Sequence, residues 1–322
     1  MTETLADYSL VAVYTAIAIY ALAFILFTLD LSRRSVEATR AADRRERAAS
    51  VESSAGGTAV LVETVAPEEP GARPAPRYLR AAIALTWIGW IIHVAAAIGR
   101  GIAAGRVPWA NMFEFSLTAT AVIVGVFLLA QFWQDLRYLG AFITGLVIAW
   151  LGVAVLGFYV DVAPLQPALQ SVWLVIHIIV AVLGTSFYAL GAGLSIVQLL
   201  RTRRDNGGLS RARFLDTVPS STRLEDLAYR VIVVGFVFWT FTLIAGAIWA
   251  NAAWGRYWGW DTKEVWTFVV WVLFAGYIHA RATRGWRGTR SAWLAIIGFT
   301  AVIFNFTIVN VFFKGLHAYS GL

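Results

Sequence analysis

Long apolar runs alternate with short polar stretches along almost the whole chain. Eight such runs fall near 9–30, 79–99, 113–133, 138–159, 171–200, 227–250, 264–281 and 291–312. Each approaches the roughly 20 residues that a helix needs to cross a bilayer core. An isolated strand in lipid would leave its backbone unpaired, so the pattern predicts helices throughout. The expected fold is all-α, a polytopic integral membrane bundle of about eight transmembrane helices. Composition agrees: 59% of the 322 residues are hydrophobic and 14% charged, against about 25% charged in soluble domains. The first run follows a short acidic stretch with no basic n-region, which predicts a retained span rather than a cleaved signal.

The polar stretches set the orientation. Of the 26 Lys and Arg residues, 21 fall with the stretches after the first, third, fifth and seventh runs. Positive charge marks the cytoplasmic side, so both termini are expected to be extracytoplasmic, in a multi-pass protein of the cell (plasma) membrane. Topology thus accounts for the net charge of +7, and nucleic acid is not an expected partner. Residues 31–78 begin Arg-rich and turn to Ala, Gly, Glu and Pro. That composition buries no core and predicts a disordered cytoplasmic linker. It divides a first helix, 1–30, from a seven-helix bundle, 79–322. The basic loop 201–226 reads as a shorter version of the same, and no internal repeat is evident. There are no cysteines, so disulfides, thiolate metal sites and redox thiols are excluded.

Between Trp249 and Trp271 lie six of the 15 tryptophans. An interfacial aromatic belt accounts for one or two per helix end, such as Trp249 and Trp271. It does not account for Trp254, Tyr257, Trp258 and Trp260, crowded beside Gly255 and Gly259 in an expected external loop. Flat aromatic faces gathered at a membrane surface suit a large planar apolar ligand. The stretch AWGRYWGWDTKEVW resembles the tryptophan-rich "WWD" signature (external segment 249–266) of haem-handling membrane proteins. It is most similar to the CcsA/ResC-type subunit (also named CcsB) of the System II cytochrome c synthetase. Thr262 stands where the family usually has proline, which predicts a looser turn into the seventh span. PWANMFEF at 108–115 is similar to a second external family segment, with Phe113 in place of its tyrosine.

Four histidines are available, and imidazole is a common axial ligand of haem iron. His177 lies about 9 Å into the fifth span, at 1.5 Å per residue. His317 follows the eighth run. Both belong to the expected external side, where two imidazoles beside an aromatic platform suit a bis-histidine haem site. The resemblance implies the same pair as external ligands, with Trp254, Tyr257, Trp258, Trp260 and Asp261 as the platform. His279 lies roughly 22 Å along the seventh span, too deep to share that site. The resemblance implies an intramembrane haem ligand there, completed by a ResB/Ccs1-type partner. His93 fits either haem passage or a hydrogen bond within the bundle. Arg256 is a candidate contact for a haem propionate, and headgroup contact explains it equally well. Asp261 and Glu264 fit the start of a helix, and a carboxylate there could also orient a histidine.

The resemblance implies transport of haem b and its attachment to the CxxCH thiols of apocytochrome c, as a haem lyase/synthetase subunit. No nucleophile is needed or visible, so no catalytic residue is expected apart from those that position haem. Without cysteine, the chain must rely on an upstream thiol-reducing protein. Two other classes stand as alternatives: a cytochrome b-type electron-transfer subunit, although the four histidines do not form two depth-matched pairs, and a CcmC-like handler that loads a haem chaperone, which shares the tryptophan signature but has fewer spans.

Overall fold

The computed structural model describes residues 2–54, 77–163, 165, 169–283, 285–313 and 315–317. Among them, α1 (Thr2–Ser54), α2 (Arg77–Ala104), α3 (Met112–Ala130), α4 (Gly140–Gly157), α5 (Val172–Asp205), α6 (Ser221–Trp254), α7 (Thr262–Thr283) and α8 (Thr289–Phe306) form an antiparallel bundle, followed by a one-turn α9 (Ile308–Phe312). Eight segments are long and apolar enough to cross a membrane, the last comprising α8 and α9. The all-α expectation therefore holds, with helix ends that differ from the apolar runs by several residues.

Two corrections concern the N-terminal third. α1 continues to Ser54, so residues 31–54 are helical where a disordered linker was expected. The remainder of that expected linker, 55–76, lies outside the described residues. Ala, Arg and Glu dominate 31–54 and are strong helix formers. The extension also rests on the loop after α5: Arg213 Nη1 donates to the Thr39 carbonyl at 3.4 Å. That loop is itself ordered by a 3₁₀ turn, Arg213–Thr217, and by Arg204 paired with Asp216 at 3.0 Å. Nor does α1 stand apart from a seven-helix bundle. It packs along α2 and α4, burying Val13, Tyr20 and Phe27 in the interior.

Most of the buried apolar side chains of α1–α4 form one core, together with parts of α5 and α6. A second core joins α5–α8 around Tyr188, whose ring stacks on Phe274 at 3.6 Å. At the arginine-rich end, Glu225 accepts from Gly288 N (2.9 Å) and pairs with Arg281 (3.5 Å), tying α6 to α7 and α8. A buried charge needs such partners to offset its desolvation. At the opposite end, a third cluster of Leu174, Ile178, Val182 and Trp249 borders the tryptophan-rich loop.

Candidate functional site

The loop between α6 and α7 is built around one carboxylate. Gly255, in the left-handed conformation at φ 71°, ends α6, a backbone state that glycine adopts without steric cost. Asp261 then caps α7: its Oδ1 accepts from Lys263 N at 2.9 Å. Glu264 reaches back, so that its Oε2 accepts from Asp261 N (3.1 Å) and Gly259 N (2.8 Å). Asp261 and Glu264 thereby make a capping box. Oε1 of Glu264 pairs with Arg256 at 3.0 Å. Between the two amides held by Glu264, Trp260 is forced to φ 60°. A non-glycine residue in that region carries strain of order 1–3 kcal/mol, a feature that collects at ligand clamps.

The α2–α3 connection repeats this design. Asn111 caps α3 by accepting from Glu114 N at 2.9 Å. Glu114 accepts from Ala110 N at 2.9 Å and pairs with Arg106 at 2.7 Å and Arg100 at 3.3 Å. In each loop an Arg precedes the paired Glu by eight residues, and the cap residue stands three before that Glu. The chain thus contains a short local repeat that sequence reading missed, because only three positions in nine carry it.

The two loops wall an apolar cavity of about 240 Å³, with Trp109 and Asn111 on one side and Tyr257, Trp258 and Glu264 on the other. His177, His317 and Trp249 line it as well. His177 projects from the second turn of α5, and its Nδ1 lies 3.0 Å from the Thr242 carbonyl. A carbonyl only accepts, so this Nδ1 carries the proton. Gly246 makes room for the ring, since a Cβ there would sit 2.9 Å from it. His317 arrives from the segment after α9, with Nδ1 3.0 Å from Asp261 Oδ1. That bond, foremost, draws the Asp261 carboxyl down to about 2, aided by the Lys263 and Leu316 amides against partial desolvation. Asp261 is therefore an ionised acceptor, and Nδ1 of His317 is the donor. Neither imidazole has a hydrogen-bond partner on Nε2 among the described residues. This is the arrangement of metal-ligating histidines, where the second ring nitrogen donates to a carboxylate or carbonyl.

The aromatics expected to form a platform take different positions around the cavity. Trp258 and Tyr257 line the cavity, but Trp254 and Trp260 do not. Trp254 instead packs edge-on against His317 at 4.9 Å. Trp260 is 77% exposed and meets Trp258 edge-on at 5.8 Å. The tryptophan that joins the histidines is Trp249, expected to belong to a membrane belt. It is 2% exposed, stacks on His177 at 5.9 Å and meets His317 edge-on at 5.4 Å. Its depth, one turn before the end of α6, could have signalled this. Arg256 is turned to Glu264 and does not line the cavity.

The other two histidines stand elsewhere. His93 is fully buried, with Nδ1 3.2 Å from the Tyr20 hydroxyl and Nε2 3.4 Å from Thr120 Oγ1. Both ring nitrogens thus face bundle hydroxyls. His279 is exposed near the arginine-rich end of α7 and does not line the cavity.

Fold and site together define a class: polytopic helical membrane proteins with a ligand pocket at one end of the bundle. Residues 109–317 match the cytochrome C assembly protein family, a segment running from the first wall of the cavity to its last histidine. The cytochrome c biogenesis protein CcsA of Guillardia theta is 35% identical over 240 residues, covering 69% of this chain and 80% of that protein. CcsA of Microcystis aeruginosa is 33% identical over 273 residues, covering 70% and 83%. Among solved structures, Cytochrome c Heme Lyase CcmF matches 94% of this chain with a TM-score of 0.63. At 17% identity that similarity is one of fold, and this chain spans 46% of CcmF. The chain belongs to the cytochrome c assembly family and is of the CcsA type. It is a multi-pass membrane protein with a role in cytochrome c maturation, and haem handling comes with that role.

Proposed function

We propose that this chain carries haem b across the plasma membrane and presents it to apocytochrome c for thioether attachment. The observation that carries the reading is the pair of imidazoles, His177 and His317, in one aromatic cavity, each with Nδ1 engaged and Nε2 without a partner. Two such nitrogens can fill both axial positions of haem iron. Charge supports the sidedness: the arginine-rich end faces the cytoplasm under the positive-inside rule, which puts the cavity outside, with the apocytochrome.

The cavity is smaller than the ~300–1,000 Å³ of typical ligand pockets. A macrocycle held there leaves an edge projecting, as transfer to a second protein requires. Attachment adds each S–H of a CxxCH motif across one vinyl group, sulfur to one carbon and hydrogen to the other. No electrons are exchanged, so the protein's share is to position and shield the reactants. The thiols must arrive reduced, and a cysteine-free chain leaves that to an upstream thiol-reducing protein. His279 is exposed on α7, away from the cavity. That position suits a haem ligand shared across an interface with a ResB/Ccs1-type subunit.

Absorbance of the purified complex tests the reading. Haem should co-purify with a low-spin, bis-histidine spectrum. His177→Ala and His317→Ala should each convert the external fraction to high spin, and added imidazole should restore it. A low-spin spectrum unaltered in both variants would remove these residues as ligands.

A further inference from the structure

The cavity holds a buried amine that forms no ion pair among the described residues. Lys263 lines it from the first turn of α7. Positive charge there opposes the helix dipole, and a lysine at a membrane surface usually turns its amine toward water and headgroups. Here the amine turns inward instead. Nζ donates to the Asn305 carbonyl at 2.7 Å and lies 5.7 Å from the centre of the Phe306 ring. Among the described residues no carboxylate comes within 4.0 Å of it. The two nearest acids in sequence are already engaged: Asp261 with His317, Leu316 N and Lys263 N, and Glu264 with Arg256, Gly259 N and Asp261 N. An ammonium group has three donors, and among the described residues only one of these is used. A desolvated, unpaired charge is costly, and an anion supplied by the ligand would offset it.

We propose that Lys263 binds a carboxylate of the substrate, a propionate of haem, and so fixes how the macrocycle lies in the cavity. The inference rests on the haem reading above and deepens it. It moves the propionate contact from Arg256, whose guanidinium is occupied by Glu264, to a residue that faces the cavity. Lys263 is a positioning residue, acting on the propionate and not at the iron or the vinyl carbons.

The test compares haem with its dimethyl ester, in which both carboxylates are neutral, by absorbance titration of the purified full chain. Wild type should bind haem about tenfold or more tightly than the ester, the expected effect of one charge-assisted hydrogen bond. Lys263→Met and Lys263→Gln should abolish that preference while binding the ester as wild type does, which also shows them to be folded. Lys263→Arg should retain it. A preference that survives in Lys263→Met or Lys263→Gln overturns the proposal, as does loss of ester binding in both. Failure of wild type to bind either compound would instead overturn the haem reading on which the proposal stands.

Discussion

His317 reaches the cavity on a short segment after α9, and Asp261 is its anchor. The Asp261 side chain is 6% exposed and accepts from His317 Nδ1 at 3.0 Å and from Leu316 N at 2.8 Å. Asp261→Ala removes both bonds together with the cap on α7. A hydrogen bond to a charged group contributes about 1.5–3 kcal/mol, and screening near the membrane surface lowers that value. For the pair, about 2 kcal/mol of positioning is a reasonable magnitude, roughly 30-fold in the fraction of chains with His317 at the cavity. Haem titration followed at the Soret band should show affinity falling by about that factor, within the 10–100-fold range for residues that orient metal ligands. Asp261→Asn keeps a cap acceptor and should lose less. Affinity unchanged in Asp261→Ala, alongside a clear loss in His317→Ala, would refute the idea that this carboxylate positions the ligand.

The remaining predictions concern pH, access to His177 and the inner histidine. Asp261 is held at about 2 against an ordinary 3.8. Its stabilisation is therefore complete above about pH 4 and lost as pH falls from there towards 2. Thermal melts of the solubilised protein should show this acid loss, and Asp261→Asn should flatten it. Gly246→Val places side-chain atoms where the His177 ring sits, 2.9 Å from a Cβ at that position. It should weaken haem binding at least tenfold while expression and α-helical circular dichroism stay at wild-type levels. His93→Phe breaks both hydroxyl contacts and leaves the Tyr20 hydroxyl buried. A stability loss of about 1–3 kcal/mol with an unchanged haem spectrum is expected, and a shifted spectrum would count against a purely structural His93.

Periodicity and charge exposed the bundle because lipid allows few alternatives: runs of about 20 apolar residues have to be helices. The N-terminal misreading came from composition. Residues 31–54 are too polar to form a core, yet they form a helix supported at one edge by the 201–220 loop, a contact distant in sequence. Within the candidate site, the placement of His177 and His317 at one cavity was legible through depth and resemblance. The roles of the aromatics were not, since burial separates Trp249 from Trp260 and spacing does not. Lys263 and Arg256 show the same limit. Arg256 lies in the α6–α7 loop and Lys263 in the first turn of α7, and only the direction of each side chain tells which one faces the cavity.

Covalent haem attachment to a CxxCH reporter tests the central claim most directly. The chain and its ResB/Ccs1-type partner are expressed in a host lacking its own cytochrome c maturation, and haem is stained on the denatured reporter. Wild type should label it, and a His177→Ala, His317→Ala double variant that accumulates normally in the membrane should leave it unlabelled. Wild-type labelling by the double variant would contradict the account.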